Sequence, residues 1–526
     1  MRWIEWILIA AVCVLAAGFG LYATRNGSDI MPDAVAYMNL ADNFRVGRGF
    51  VLDVNTPDSI GDARVVFTVA PAYSVAIAIL GWLGLGAEQA ARWVSALSFG
   101  AVIVPTYWLG RRAGGWPAGG LAALFTSVLS TLTWLATQYR ADALFMFWFV
   151  LATAACVEAA LAQESRRHFW WLSLMAFSTA FAILARYAGL MVMGGGLLGL
   201  VLFDRPARRW WAVVWFASLV GVMVGPWLFT SWLTTGYLTG RPHFFPGVVS
   251  GLENLVVALQ TFKPFIPEPR LGLREGNLLG IAAGLALLMA VVWASIGLLR
   301  RREWLFDRWR ERQWMAPVAT ALLFAAIYFA PFVHWGYTLM ISYYDWPRYL
   351  SPAFPLLFVA VGWLLGDALR AASAQGSDRW RTLAGVVIVA SVCWSYLLPT
   401  LGYAAGGSDY QGYASPPWRH STGLSQLAQL LTPEDVVFSE QPYAILYWLR
   451  RPVKALQTFP DLERVVQSPA RTSYLVIFKG ALSSADPLNP VIGIEEVKRY
   501  GASHPNLRSV MSTDEMDVYR IAPIAP

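Results

Sequence analysis

The sequence SDIMPDAVAYMNLADNFRVGRGF, residues 28–50, follows a first long apolar run and decides how the rest of the chain is interpreted. Pro32 suits the first turn of a helix, and Gly47 and Gly49 end that helix after Arg45. Residues at spacings of four, three and four share one face of it, and these are Asp33, Tyr37, Leu40 and Phe44. The stretch therefore predicts an amphipathic helix with a carboxylate on its apolar side.

Asp33 admits two interpretations. A short amphipathic helix tethered to a membrane span is predicted to lie in the membrane interface, where Asp33 would point at lipid or into a protein cavity. A charge there costs about 2–4 kcal/mol, so it normally has a partner or a function. The alternative is that Asp33 only complements the positive end of the helix macrodipole.

Composition places the chain among polytopic membrane proteins. It has 526 residues, of which 57% are hydrophobic and only 14% charged, with 26 tryptophans. The net charge of +7 comes from arginines between apolar runs, where they report topology and indicate no nucleic-acid partner. Cys13, Cys156 and Cys393 lie inside apolar runs, so no disulfide framework is predicted.

Eleven apolar runs are long enough to cross a bilayer. They lie near 3–23, 92–110, 116–137, 142–162, 169–185, 187–203, 210–230, 278–299, 315–333, 350–369 and 382–400. The first of these is interpreted as a retained span because it has no cleavage pattern. A further run, 71–85, is short and opens with Pro71, which indicates a re-entrant or interfacial segment.

Basic residues set the predicted orientation, because arginine-rich loops face the cytoplasm. With eleven spans, five arginine-rich loops fall on one side, around residues 111–112, 166–167, 205–209, 300–312 and 370–381. The first loop, 24–70, and the segment 231–277 then face outward. If 71–85 spanned instead, the first loop would be cytoplasmic and every later loop would keep its side. The shortness of that run favours the first version.

The composition changes after the last predicted span, which ends at Pro399. Candidate helices at 423–431, 443–449, 461–467 and 492–500 alternate with β-rich runs at 435–439, 473–478 and 517–521. This alternation predicts a small extracytoplasmic α/β domain over 401–526, following a transmembrane module over 1–400. The domain has no phosphate-binding glycine loop, nucleophile elbow or metal-ligand spacing, which favours acceptor recognition or support over chemistry.

Three turns predicted to face outward carry an arginine next to a tyrosine. They are Tyr139-Arg140, Arg186-Tyr187 and Arg348-Tyr349, with Asp142 and Asp345 close by in sequence. One such turn is explained by an aromatic belt with snorkelling arginines. Three of them on the side predicted to bear Asp33 favour a basic, aromatic-lined cavity, in which guanidinium groups suit phosphate oxygens.

Such a cavity fits a substrate that joins an anionic phosphate to a lipid tail. The simplest chemistry is glycosyl transfer from a polyprenyl-phosphate sugar to an acceptor hydroxyl. A carboxylate takes the hydroxyl proton, which is typically worth about 10²–10⁴-fold in rate. Fixed arginines stabilise the charge that develops on the leaving phosphate.

The stretch PDAVAYMNLADNFRVGRGF resembles the first outer loop of the GT-C superfamily of membrane glycosyltransferases, in particular the protein O-mannosyltransferases and lipid A aminoarabinose transferases. The resemblance also includes VAPAYSVAIAILGWLGLG, YWLGRR, QYRADALF, GPWLFTSWLTTGYLTGRP and YYDWPRYLSPAFPLL, and it covers roughly residues 1–400. It implies that Asp33, which matches an Asp-x-x-x-Tyr pattern with Tyr37, is the base, and that Asp142, the acid opening a later span, is a second catalytic residue. It also implies a polyprenyl-phosphate sugar donor and a glycan, lipid or protein acceptor. Tyr37, Tyr187, Asp345 and Tyr349, together with the arginines, are predicted to bind the substrate.

The sequence departs from this family at two positions. The aminoarabinose transferases have a basic residue before the juxtamembrane proline, where this chain has Ala70. Donor phosphate would then depend on Arg64, Arg140, Arg186 or Arg348. Related families often have two adjacent acids where Asp33 is followed by Ala34, and Asp29 competes for the role of base.

No metal is required by this hypothesis. The five histidines, His168, His243, His334, His420 and His504, show no zinc-type spacing. Some GT-C enzymes use a divalent cation, so a cation shared by Asp33 and Asp142 stays an alternative. The rival classes are a lipid or glycolipid transporter, which would usually show duplicated halves, and a non-catalytic scaffold.

Overall fold

The computed structural model describes residues 3–55, 66–240, 315–335, 346–374, 412–456, 459–467, 472–482 and 494–523, and most positions between 387 and 405. The chain forms two compact units. Unit 1 comprises Met1–Asn26, Phe67–Ala76 and Ala91–Ser408. Unit 2 comprises Gly27–Val66, Ile77–Ala90 and Asp409–Pro526. Unit 2 therefore combines the first loop with the C-terminal segment.

Helices dominate the described part of the first 374 residues. In chain order they are α1 (Trp3–Ala23), α2 (Pro32–Arg45), α3 (Ala72–Trp82), α4 (Ala87–Val128), α5 (Ser130–Thr137), α6 (Asp142–Leu161), α7 (Ser165–Ala185), α8 (Gly189–Phe203), α9 (Arg209–Thr235), α10 (Met315–Trp335), α11 (Trp346–Leu350) and α12 (Phe354–Ala374). A 3₁₀ turn, Ser351–Ala353, joins α11 to α12. Most of these helices coincide with the predicted spans because long apolar runs have few alternatives in a bilayer.

Helix α4 contains two helices that meet at a kink. Gly114 and Gly115 leave helical geometry, and Gly115 has a φ of +72°, which glycine adopts without strain. A methyl group on Gly119 would lie 2.7 Å from the carbonyl oxygen of Tyr107. Residues twelve apart in a continuous helix would be about 18 Å apart, so the chain reverses at the kink. The runs predicted near 92–110 and 116–137 are thus two helices, and the second is interrupted again at Leu129.

Six of the described helices are long and apolar enough to cross a membrane. They lie at Trp3–Ala23, Ala87–Val128, Asp142–Leu161, Ser165–Ala185, Arg209–Thr235 and Arg348–Gly366. Helix α3 has 11 residues, or about 16 Å, roughly half of a hydrocarbon core, which favours the topology in which it does not span. The run near 278–299 lies outside the described residues, and the number of spans stays a prediction.

Aromatic side chains of α6 and α10 form the centre of unit 1. The rings of Phe149 and Tyr328 lie 5.1 Å apart between centroids, and those of Phe145 and Tyr328 lie 5.7 Å apart. All three residues belong to one buried apolar cluster. This packing fixes the first turns of α6 against α10, which positions the acid with which α6 begins.

Unit 2 is built on one six-stranded sheet. Its strands are β1 (Val54–Asn55), β2 (Val436–Ser439), β3 (Val453–Ala455), β4 (Ser473–Phe478), β5 (Leu507–Ser512) and β6 (Met516–Ile521), in the spatial order β1-β3-β2-β4-β6-β5. The first four strands in that order are parallel, and the β4–β6 and β6–β5 pairs are antiparallel. Its C-terminal helices are α13 (Pro416–Arg419), α14 (Thr422–Leu430), α15 (Pro442–Leu449), α16 (Phe459–Gln467) and α17 (Ile494–Ser503).

Strand β4 lies at the middle of this sheet and is buried on both faces. Val476 and Phe478 join one apolar cluster, whereas Leu475 and Ile477 join another. This alternation is the period-two pattern of a strand covered on both sides. The predicted fold class, a mainly α transmembrane bundle with a C-terminal α/β sheet, is confirmed.

The first loop contributes a strand to that sheet. Val54 pairs in parallel register with Val453, and the amide of Val453 donates a hydrogen bond to the carbonyl oxygen of Asp53. Helix α2 packs against α15 within the same unit. The division into domains 1–400 and 401–526 was predicted from composition and stays a prediction. The compact units have other bounds, because the first loop pairs with the C-terminal sheet.

Candidate active site

The candidate site of unit 1 is organised by Asp142, the first residue of α6. Tyr139, just before it, has a φ of +48°, a conformation that is uncommon for a side chain of this size. This turn lets the chain reverse between α5 and α6. The Asp142 carboxylate, in the first turn of its helix, is fully buried and benefits from the helix macrodipole.

Two arginines from distant parts of the sequence contact this carboxylate. Arg186, in extended backbone between α7 and α8, forms an ion pair with the Asp142 Oδ1. Arg348, on α11, places its Nε 3.1 Å from the Asp142 Oδ2. One carboxylate therefore holds two guanidinium groups, in the geometry that makes charge-assisted hydrogen bonds strong.

Tyr349 supports both guanidinium groups from one side. Its ring centroid lies 4.8 Å from the Cζ of Arg186 and 5.5 Å from the Cζ of Arg348. The Tyr328 hydroxyl donates a 2.7 Å hydrogen bond to the carbonyl oxygen of Tyr349. The site thus combines ion pairing with cation–π contacts on a ring whose backbone is itself fixed.

Among the described residues, this cluster has more guanidinium groups than carboxylates. Arg140, two residues before Asp142, is buried, as is Arg348, and the Arg186 side chain is only 10% exposed. Buried charge is expensive unless it is compensated, and guanidinium forks match phosphate oxygens. We therefore name Asp142, Arg140, Arg186, Arg348 and Tyr349 the arginine cluster.

Tyr187 makes structural contacts instead of facing this cluster with a free hydroxyl. Its hydroxyl donates to the carbonyl oxygen of Phe67 at 2.5 Å and accepts from the indole of Trp227 at 2.9 Å. The Phe67 ring lies 4.9 Å from that of Trp227. The predicted substrate-binding role of Tyr187 stays a prediction, and these contacts favour a role in holding the turn.

The predicted base belongs to unit 2. Asp33 is exposed in the first turn of α2, whereas Tyr37 and Leu40 on the same helical face are buried. Asp29, the competitor, is buried beside Gly412, whose neighbour Tyr413 donates its amide to Ile30. An exposed carboxylate at a helix start is accessible to an acceptor hydroxyl. The catalytic role of Asp33, and a chamber shared with the arginine cluster, stay predictions.

A second carboxylate of the first loop, Asp53, was missed by the sequence analysis. Asn39 and Asn43 donate to its Oδ2 at 2.9 and 3.0 Å, and Arg48 approaches its Oδ1 at 3.3 Å. The Asp53 amide in turn donates to the side-chain oxygen of Asn39 at 2.9 Å. The signal was available, because asparagines four apart share a helical face.

This network borders a cavity of about 160 Å³ in unit 2. Leu446, Tyr447 and Arg450 of the α15 region complete its wall. The Tyr447 hydroxyl donates to Glu88 at 3.1 Å, and burial, together with this contact, raises the pKa of Tyr447 above its usual value. The network fixes the end of α2 to the strand β1 that follows it.

Two other predicted site residues, Arg64 and Asp345, lie outside the described residues. Most of the segment 231–277, which was predicted to face outward, lies outside them as well. Among the residues that the structure describes, no group of three or more His, Cys, Asp or Glu side chains could hold a metal ion. His168 is buried, and its Nε2 lies 3.6 Å from Asp204.

Fold and site together define a multi-pass membrane protein with a buried arginine cluster and a mixed-sheet unit. Searches of family models and of curated proteins give no match. Solved structures do match. ArnT from Cupriavidus metallidurans has a TM-score of 0.62 in the apo state and 0.63 when bound to undecaprenyl phosphate, at 15% identity and with 100% of both chains covered.

Two other solved structures are similar. Arabinofuranosyltransferase AftD from Mycobacteria has a TM-score of 0.57 at 13% identity, covering 98% of this chain and 42% of that one. Oligosaccharyltransferase AglB from Archaeoglobus fulgidus, in complex with an inhibitory peptide and a dolichol-phosphate, has a TM-score of 0.52 at 12% identity, covering 91% and 70%. All three are GT-C superfamily members, so this chain has the GT-C fold.

Proposed function

We propose that this protein is a membrane glycosyltransferase that moves a sugar from a polyprenyl-phosphate-linked donor to an acceptor hydroxyl at the outer face of the membrane. The observation that carries the proposal is the convergence of Arg186 and Arg348 on Asp142 over the ring of Tyr349. This arrangement holds positive charge out of water where an anionic group can use it.

The similar structures support the substrate class. ArnT binds undecaprenyl phosphate, and AglB binds a dolichol-phosphate. Both ligands join a phosphate to a long apolar chain, which is the combination that a buried arginine cluster within a bundle of apolar helices would accept. The identity of the sugar and of the acceptor follows from neither ligand.

The proposed reaction is a single displacement. The Asp33 carboxylate takes the proton of the acceptor hydroxyl, whose oxygen attacks the anomeric carbon as the bond from that carbon to the phosphate oxygen breaks. The electron pair of that bond stays on the polyprenyl phosphate, and attack from the opposite side inverts the anomeric configuration. The arginine cluster stabilises the negative charge that the departing phosphate gains.

Within this scheme Asp142 acts on the arginines. Its two oxygens are each engaged by a guanidinium group, so it fixes where Arg186 and Arg348 point. A shift of about 1 Å in such groups is enough to lose much of their catalytic effect. We predicted a catalytic role for Asp142 from the sequence, and we propose here that it positions the arginines instead. Tyr37, Arg64 and Asp345 stay predicted substrate contacts.

The proposed reaction needs no divalent cation. A solved structure of AglB contains zinc and sulfate, so a cation bound between donor phosphate and carboxylates is the alternative for this chain. Retention of transfer in the presence of a chelator distinguishes the two.

The test is transfer of radiolabelled sugar from polyprenyl-phosphate donors in membranes that carry the wild-type protein or Asp33→Asn. We expect the variant to lose at least about a hundredfold in transfer rate, because a general base is typically worth 10²–10⁴-fold. Glu434→Gln, which changes another exposed acid of unit 2 in the turn before β2, serves as the matched control and is expected to transfer normally.

Unchanged transfer in Asp33→Asn would remove Asp33 as the base, and loss confined to Asp29→Asn would move that role to Asp29. The second candidate function, a lipid or glycolipid transporter, is separated by the same assay. A transporter would move labelled donor across the membrane without forming a glycosidic product, with or without the carboxylate at position 33.

A further inference from the structure

A cavity of about 390 Å³ lies in unit 1 at the far end of α6 from the arginine cluster. Its wall is formed by Glu5, Tyr107, Trp108, Arg111, Arg112 and Trp116, on α1 and on the two sides of the α4 kink. Glu158, which contacts this wall, follows Asp142 by sixteen residues along α6, or about 24 Å. The cavity is therefore separate from the arginine cluster.

Two carboxylates pair with the two arginines that line this cavity. Glu5 lies 3.2 Å from the Arg111 Nε and accepts from the Tyr107 hydroxyl, also at 3.2 Å. The buried Glu158 accepts from the Trp108 indole and from the Arg112 Nη2, both at 2.8 Å. Each carboxylate thus holds one arginine that stays partly exposed, with 38% of Arg111 and 40% of Arg112 accessible.

Ion pairs join this cavity to the neighbouring loops at the same end of the bundle. The buried Glu158 also lies 3.4 Å from Arg167. In the loop after α8, Asp204 pairs with Arg208 at 2.8 Å and lies 3.6 Å from His168 of α7. The loops after α6 and α8 therefore meet the kink of α4 on one surface.

Exposed tryptophans occur at the helix ends beside these loops. Each lies near arginines in the sequence or near the start of α1, and together they form the tryptophan belt of Trp3, Trp6, Trp116, Trp170, Trp210 and Trp211. Tryptophan concentrates where hydrocarbon meets the headgroup layer. On this ground we expect the cavity mouth to lie at headgroup depth, next to the exposed apolar side chains of Ile4, Ile7 and Leu8 on α1.

We infer that this cavity binds the phosphodiester headgroup of an anionic membrane phospholipid, whose acyl chains lie along α1. Arg111 and Arg112 supply charge-assisted donors for the phosphate oxygens, and Trp108 and Trp116 flank the glycerol region. Trp116 in the cavity wall and the exposed apolar side chains of α1 favour a lipid over a free phosphate, because a soluble ligand would make no use of them.

The test uses the full-length protein in detergent and native mass spectrometry. The protein is titrated with dioleoyl phosphatidylglycerol, with dioleoyl phosphatidylcholine, and with glycerol 3-phosphate as competitor. We expect Arg111→Gln to weaken phosphatidylglycerol binding about tenfold, the usual effect of losing a charged hydrogen bond. Trp116→Ala, which leaves every ion pair intact, is expected to weaken it severalfold.

The matched controls are Arg166→Gln and Trp170→Ala. They remove the same charge and the same kind of exposed tryptophan at the same end of the bundle, outside the cavity wall. Binding within twofold of wild type in both controls, and weak binding of phosphatidylcholine, support the site. Equal losses of phosphatidylglycerol affinity in controls and test variants would contradict a specific site in the cavity and would indicate diffuse attraction to the tryptophan belt. Displacement of lipid by an equal concentration of glycerol 3-phosphate would show a phosphate site without lipid specificity.

Discussion

The two ends of helix α6 both carry a buried carboxylate paired with arginines, but these arginines differ in how far they are exposed to water. Asp142 at its start and Glu158 near its end are both buried carboxylates, and each contacts two arginines. At the Asp142 end the arginine side chains are also buried, with 10% of Arg186 and 9% of Arg348 exposed. At the Glu158 end, 40% of Arg112 and 53% of Arg167 are exposed.

The difference in exposure means that the two sets of ion pairs have different effects: one set joins loops, and the other stabilises arginines that are withdrawn from water. Guanidinium groups that reach water keep most of their solvation, so the Glu158 pairs tie loops together at little electrostatic cost. Guanidinium groups that are withdrawn from water depend on Asp142 and on the Tyr349 ring for their stabilisation. Under the proposed function, the end of the helix with the buried basic partners is the one that meets the donor phosphate.

The largest effect is expected from Asp142→Asn. Removal of this carboxylate leaves two guanidinium groups buried without their charge partner, which destabilises proteins by about 3 kcal/mol. The matched variant Glu158→Gln is expected to lose only about 1 kcal/mol, because Arg112 and Arg167 can turn to water. Unfolding of both variants by sodium dodecyl sulfate, relative to wild type, measures the two losses. An equal or larger loss in Glu158→Gln would show that burial of the arginines does not set the difference.

A smaller effect is expected at Tyr349, whose ring distinguishes the Asp142 end from the Glu158 end. Tyr349→Leu removes both cation–π contacts, each worth about 1 kcal/mol, and should raise the KM for the polyprenyl-phosphate donor about fivefold. Tyr349→Phe keeps the ring and should leave that KM near the wild-type value. A similar increase in both variants would assign the effect to the hydroxyl instead of the ring.

Local sequence patterns were sufficient for much of this architecture. Apolar runs predicted α1, α6, α7 and α9, and β-rich runs predicted strands β2, β4 and β6. The pairing of arginine and tyrosine in separated turns also indicated the meeting of Arg186, Arg348 and Tyr349, because outward turns of one bundle share one surface.

Features that depend on distant partners could not be predicted in the same way. Strand β1 has two residues, and its partner β3 lies about 400 positions later, so no local period reports the pair. The chain reversal in α4 depends on a positive φ at Gly115, which an apolar run conceals. The Asp53 network, by contrast, is local, because Asn39, Asn43 and Arg48 all lie within 14 residues of Asp53, and the sequence offered a signal for it.

The smallest effect on stability is expected at a carboxyl group, that of Glu440. Its hydrogen-bond donors among the described residues are neutral. Glu440, at the end of β2, accepts hydrogen bonds from the Phe478 amide at 2.6 Å and from the Ser439 hydroxyl at 3.2 Å. Burial raises its pKa from 4.5 to about 7, so the folded protein binds this proton more tightly than the unfolded chain does. The resulting stabilisation is fully present below pH 4.5 and is lost as the pH rises through 7.

Deuterium exchange at the Phe478 amide in the full chain, corrected for the intrinsic rate at each pH, measures this loss. We expect local stability to fall by an amount on the order of 1 kcal/mol between pH 4.5 and 7, and the fall to disappear in Glu440→Gln, which has no proton to release. The same slope in wild type and in Glu440→Gln would show that the proton of Glu440 is not the source of the loss.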